Sequence, residues 1–218
     1  MLQTPRLAAI ISNPVIELPT PHGIARAHVA AVADARAALV LGHGAGGGIS
    51  APDLTAAAAA ARAEGLTVVL VEQPYRVAGR RSPAPAHQLD AAWIAVIAAL
   101  REKKLSGLPL IAGGRSSGAR VACRTAEATG AVGVLCLAFP LQPPRRAEAP
   151  PAANRQPELD AVTVPMLVVQ GTRDPFGMPR GGKRRTVVEV AGDHSLRSDR
   201  AAVSGAVAAW LLDVLARS

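Results

Sequence analysis

Strand-like apolar runs and helical patterns alternate along most of this chain, and that alternation limits the fold more than any other feature. Residues 37–41, 66–72, 108–113, 131–138, 164–170 and 186–190 read as strands, and helices are expected over 51–64, 87–104, 117–129 and 201–216. Strands joined through helices run parallel, and a parallel sheet must be covered on both faces. Leu89, Trp93, Val96, Ile97 and Leu100 recur at helical spacing, as do Val203, Val207, Trp210, Leu211 and Val214, which assigns both tryptophans to the core. Gly65, Gly107 and Gly130 stand where helices should close. Ahead of the alternation, Ser12–Leu18 and Gly23–Val32 read as a hairpin about Pro19-Thr20-Pro21-His22-Gly23. The exception is Gln142–Glu158, rich in Pro, Arg and Ala, which reads as a surface loop with room for one helical turn. With no internal repeat, residues 1–218 are expected to form one α/β domain.

Chemistry-bearing residues collect just after these strands. Leu108–Ala112 runs into Gly114-Arg115-Ser116-Ser117-Gly118, and an Ala-rich helical pattern follows. G-x-S-x-G between strand and helix is the context of a nucleophile elbow, in which a serine sits on a strained turn and glycines let neighbouring backbone approach. Only Ser116 fits, because Ser117 would need glycines where Arg115 and Ala119 stand. A serine nucleophile needs a base, and the base needs an acid to fix its tautomer. Asp174, in Gly171-Thr172-Arg173-Asp174-Pro175, and His194, in Ala191-Gly192-Asp193-His194-Ser195, follow the next strands in the required order of serine, acid and histidine. Asp193 is the weaker acid candidate and suits a cap on the last helix better.

Gly42-His43-Gly44-Ala45-Gly46-Gly47-Gly48 follows strand 37–41. An acyl-transfer serine enzyme needs backbone N–H donors for an oxyanion; Ser117 would supply one, and Ala45 or Gly46 in this His-Gly loop the second. The same run also matches G-x-G-x-x-G, with Glu72 closing the next strand where a ribose-binding acid would sit. Two points weigh against a dinucleotide site. The helix start signal, Ser50-Ala51-Pro52-Asp53, lies beyond the glycines, and that reading leaves the Ser116, Asp174 and His194 loops unexplained.

Composition narrows the remaining choices. Half the residues are apolar, yet none of the runs approaches the ~20 residues of a membrane span. The Leu7–Ile11 run after Arg6 is too short for a secretory core of about 7–15 residues. Cys123 and Cys136 have neither metal-motif nor disulfide-scaffold spacing, so free thiols and a cytoplasmic location are expected. The net charge of +8 raises nucleic-acid binding, but scattered arginines, lysines only at 103, 104 and 183, and 2% aromatics argue against specific recognition. The dense basic patch is Arg180–Arg185.

With these residues in place, the chain resembles the α/β-hydrolases over nearly its whole length. Gly42–Gly47, Pro74-Tyr75-Arg76, Gly114–Gly118 and Gly171–Gly177 resemble a compact branch without a lid. That branch is related to dienelactone hydrolases and to the hydrolase-like domain of a chromatin-complex subunit and of a testis-expressed protein. The resemblance implies a serine hydrolase acting on a carboxylic ester or thioester of a small molecule, with an open cleft and neither metal nor organic cofactor. Dienelactone hydrolases proper use a cysteine nucleophile, where this chain has Ser116. His43, Tyr75, Arg115, Phe139, Leu141 and Arg173 lie just after strand ends and are the expected pocket residues; the two arginines would attract an acidic substrate or form structural ion pairs. Some members of the branch serve as interaction domains, so a non-catalytic module of the same fold is the alternative.

Overall fold

The computed structural model describes residues 14–143 and 153–217. Its strands are β1 (Val15–Thr20), β2 (Gly23–Ala30), β3 (Ala37–Gly42), β4 (Leu66–Glu72), β5 (Leu110–Arg115), β6 (Gly133–Leu137), β7 (Met166–Gly171) and β8 (Arg185–Val190). They form one eight-stranded sheet in the order β1-β2-β4-β3-β5-β6-β7-β8. The β1–β2 hairpin is antiparallel and joins β4 antiparallel; every pairing from β4 to β8 is parallel. This is the α/β-hydrolase arrangement.

Among the described residues six helices accompany the sheet: α1 (Pro52–Ala63), α2 (Pro74–Val77), α3 (Ala86–Lys103), α4 (Ser117–Thr125), α5 (Gln156–Asp160) and α6 (Arg200–Leu215). The period-two pattern of the buried strands sorts their side chains between two cores. Val40, Ala112, Val134, Cys136 and Val168 face the cluster built with α3, α4 and α5, which includes Trp93, Ile97, Val121 and Leu159. Leu39, Leu41, Ile111, Leu135 and Val169 face the other, built with α1 and α6, which includes Leu54, Val203, Val207 and Trp210. Both tryptophans are therefore core residues, as their spacing predicts.

The long elements match the sequence to within a few residues, and the differences have local causes. Helix α4 stops at Thr125 rather than 129, where Thr125 Oγ1 donates to the Val121 carbonyl and Thr129 Oγ1 to that of Thr125. The one-turn helix α2 has too few residues to show a period. The expected loop 142–158 includes the start of α5, the single turn allowed for there, while its residues 144–152 lie outside the described residues, as do Ser12 and Asn13 of the hairpin. Helix α1 begins at Pro52, within its expected start signal, with Ala51 as N-cap and no side-chain cap bond. Asp193 does not cap α6; Asp199 does, accepting from the Ala202 N–H, while Asp193 accepts from the N–H and hydroxyl of Ser195. Cys123 and Cys136 are free and buried, their sulfurs 3.5 Å apart between α4 and β6. Among the described residues no helix is long and apolar enough to cross a membrane.

The sheet places the C-terminal ends of β3, β5, β6, β7 and β8 along one edge, and α4 starts directly over β3. A Cβ on Gly118 would collide with the carbonyl groups of Gly42 and His43, all backbone atoms that cannot rotate away. Gly118→Ala should therefore cost about 1–3 kcal/mol or more of stability, read as a lower urea midpoint.

Candidate active site

Three side chains converge across those strand ends. Ser116 closes β5 with φ 51° and ψ −109°, a left-handed conformation that an L-residue keeps only under constraint, at a cost of roughly 1–3 kcal/mol. Its N–H is held by the Leu137 carbonyl at 2.9 Å. His194 Nδ1 lies 2.8 Å from Asp174 Oδ2, and His194 Nε2 lies 3.0 Å from Ser116 Oγ. A carboxylate can only accept, so Nδ1 carries the proton, and Nε2 is left to accept from the serine hydroxyl. Ala138 and Leu196 also have positive φ, and both lie in loops beside this cluster.

The buried Asp174 is fixed from two sides. Its Oδ1 accepts the Phe176 N–H at 2.9 Å, and its Oδ2 accepts from Gln170 Nε2 at 2.9 Å. Gln170 is fully buried at the end of β7. Its Oε1 takes the Phe139 N–H, and its two amide hydrogens serve Asp174, the Gly177 carbonyl and the Phe139 carbonyl. The Phe176 ring lies against the His194 imidazole, centroids 4.3 Å apart. Sequence reasoning passed over Gln170 and Phe176, though a glutamine closing an otherwise apolar buried strand is a readable sign that something nearby needs its amide.

The glycine loop after β3 is held by two side chains. The His43 ring is buried; Nε2 accepts the Gln73 N–H at 3.1 Å, so Nδ1 carries the proton and donates to the Gly44 carbonyl at 2.8 Å. In a trans peptide C=O and N–H point in opposite directions, so the Ala45 N–H is directed away from this ring. Tyr75 Oη donates to the Ala45 carbonyl at 2.8 Å, which in the same way directs the Gly46 N–H away from the phenol. Burial pushes the Tyr75 pKa up, keeping the hydroxyl a donor. Ser117 is the first residue of α4, where N–H groups have no partner within the helix.

The expected pocket residues divide. His43 and Tyr75 are buried; the Tyr75 hydroxyl and His43 Nδ1 hold the glycine loop, and His43 Nε2 is taken by the Gln73 N–H. Phe139 is fully buried in the core, which corrects its assignment to a pocket wall; alternation from Cys136 would send it to the opposite face, but the chain turns at Ala138, with φ 49°, and puts it on the α3–α4 side. For Arg115 the structure decides between the two expected roles: its Nε lies 2.8 Å from Asp53 Oδ2, so it is a structural ion pair rather than a free cation at the rim. Leu141 packs beside Gly177, and Arg173 is exposed next to Asp174. Glu72 is taken by His28 at 2.9 Å, and α1 begins at Pro52, past the glycine run, an arrangement unlike a dinucleotide fingerprint.

A sequence profile of the alpha/beta hydrolase domain family matches residues 35–206, and the chain belongs to that family. No curated protein matches it by sequence. Among solved structures it is similar to XC6422 from Xanthomonas campestris, described as an a/b serine hydrolase without lid, at 20% identity over 93% of this chain and 95% of that one, with a TM-score of 0.72. Est1E from Butyrivibrio proteoclasticus is similar at 14% identity over 93% and 99%, with a TM-score of 0.74. So is the dienelactone hydrolase from Anabaena variabilis, at 15% identity over 92% and 97%, with a TM-score of 0.70. The protein is thus an α/β-hydrolase, and these structures share its fold.

Burial lowers the His43 pKa, so the folded protein holds this ring neutral. Below about pH 6.5 the unfolded chain takes up a proton at His43 that the folded chain resists, so stability falls with pH there and is fully present above. The urea midpoint should drop between pH 7 and pH 5 by more in the wild type than in His43→Gln.

Proposed function

We propose that the protein is a serine hydrolase that cleaves a carboxylic ester or thioester of a small molecule through an acyl-Ser116 intermediate. The observation that carries this reading is the unbroken chain of hydrogen bonds from Asp174 through His194 to Ser116, at 2.8 and 3.0 Å. Ser116 Oγ attacks the substrate carbonyl carbon while its proton passes to His194 Nε2, and Asp174 stabilises the resulting imidazolium. The tetrahedral oxyanion takes the N–H of Ser117 and that of Ala45 or Gly46. The fixed peptides of the glycine loop support this, because donors held in place before reaction need no reorganisation during it. Collapse expels the alcohol or thiol, which receives the proton from Nε2, and the acyl group stays on Ser116. Water then attacks the acyl carbon with His194 as base, releasing the acid and restoring the serine. Phe176 on the His194 ring, Leu141 beside Gly177 and the exposed Arg173 next to Asp174 would meet apolar and acidic substrate groups.

A fluorophosphonate probe and a short series of p-nitrophenyl esters test the reading. Wild-type protein should be labelled and should release p-nitrophenol, and Ser116→Ala should do neither. Asp174→Asn should lower turnover by roughly 10³–10⁴-fold, the scale of a misdirected histidine tautomer. Tyr75→Phe, which frees the Ala45 carbonyl, should lower kcat by less than the roughly 10²–10³-fold cost of losing a donor outright. Folded wild-type protein that neither labels nor turns over would leave an interaction module of the same fold.

A further inference from the structure

We propose that Arg115 is a positioning residue that holds the His194 loop at its working distance from Ser116, through a guanidinium anchored on the buried Asp53; this rests on the serine-hydrolase reading. The arrangement follows from where one side chain ends up. Arg115 is the variable residue before the serine, at the tip of β5. Its Nε lies 2.8 Å from Asp53 Oδ2 in the first turn of α1, and its Nη2 donates to the His194 carbonyl at 2.9 Å. Its Nη1 flanks the glycine loop, since a Cβ on Gly44 would stand 2.9 Å from it. One planar group therefore spans α1, the loop after β3 and the loop after β8. Among the described residues, this bond from Arg115 is the one hydrogen bond made by the His194 main chain. Asp193 and Ser195 on either side bond to each other, and Leu196 bonds back to Asp193, so their contacts shape the loop without tying it to β5.

Asp53 gives the guanidinium its fixed point. The carboxyl is fully buried; burial pushes its pKa up and the Arg115 charge pulls it back down. A cation held by a buried anion cannot swing toward solvent without stranding that anion, so the forward-facing Nη2 is held on the histidine loop. The job needs the flat fork of arginine, with donors pointing in separate directions; a lysine ammonium would satisfy Asp53 and leave the His194 carbonyl unheld. The same fork explains Gly44, because a side chain there would displace a guanidinium already fixed at two other atoms.

The test compares wild type, Arg115→Lys and the charge-balanced pair Arg115→Met with Asp53→Asn, which removes both charges so that no buried carboxylate is stranded. Two readouts are taken on each folded protein: kcat and KM for p-nitrophenyl acetate, and amide hydrogen exchange across residues 191–197. The expected result is a kcat lowered about 10–100-fold, the scale of a misplaced catalytic group, with KM within about twofold of wild type. Exchange should quicken in the 191–197 loop and stay unchanged in β5 and β7. A kcat within about twofold of wild type, or loop exchange that does not change, overturns the proposal, since either is what a purely structural ion pair would give. Should wild-type protein show no turnover, the serine-hydrolase reading fails by itself, and loop exchange alone decides whether Arg115 tethers the loop.

Discussion

Backbone packed on backbone at Gly118 and Gly42 is the contact on which the site depends. Gly42 closes β3, Gly118 lies in the first turn of α4, and the Gly42 Cβ position falls 3.4 Å from the Gly118 Cα. At that distance α4 starts immediately over the neighbouring strand. Ser116 is then driven into its left-handed conformation, and the N-terminus of α4 faces the glycine loop that leaves β3. A side chain at Gly118 would lift the helix and separate the serine from the donors beside it.

Around that contact, buried and half-buried polar residues fix the loops. His43 and Tyr75 hold successive peptides of the glycine loop; Gln170 holds the Asp174 carboxylate and the chain after β6; Arg115 reaches the His194 carbonyl. A buried polar group without a partner costs about 1–3 kcal/mol, so each of these bonds makes its loop position part of the stability of the fold. Groups from four different strand ends thereby stay aligned. The sheet supplies the approximate placement, and these hydrogen bonds supply the rest.

The parallel sheet was legible because its buried strands are continuous apolar runs and its long helices repeat their apolar positions three and four residues apart. Ser116, Asp174 and His194 were legible as candidates because each follows a strand in the order that this type of sheet sets. What sequence could not give was the direction of side chains. Nothing in the spacing of Asp53 and Arg115 says that they meet, since the chain between them crosses β4 and α3. Phe139 and Phe176 each follow a strand closely, yet one turns into the core and the other onto the histidine. His43 looks like a pocket residue by position and becomes a buried brace because the Gln73 N–H, from a neighbouring strand end, reaches its ring.

The central claim is that Ser116 becomes covalently acylated during turnover. The most direct measurement is an acid quench of the protein during reaction with p-nitrophenyl acetate, followed by peptide mapping by mass spectrometry. The account predicts one acetyl group, on Ser116, that disappears as substrate is exhausted and never forms in His194→Ala. An acetyl group found on another residue, or turnover with Ser116 unmodified in a quench fast enough to trap it, would contradict the account.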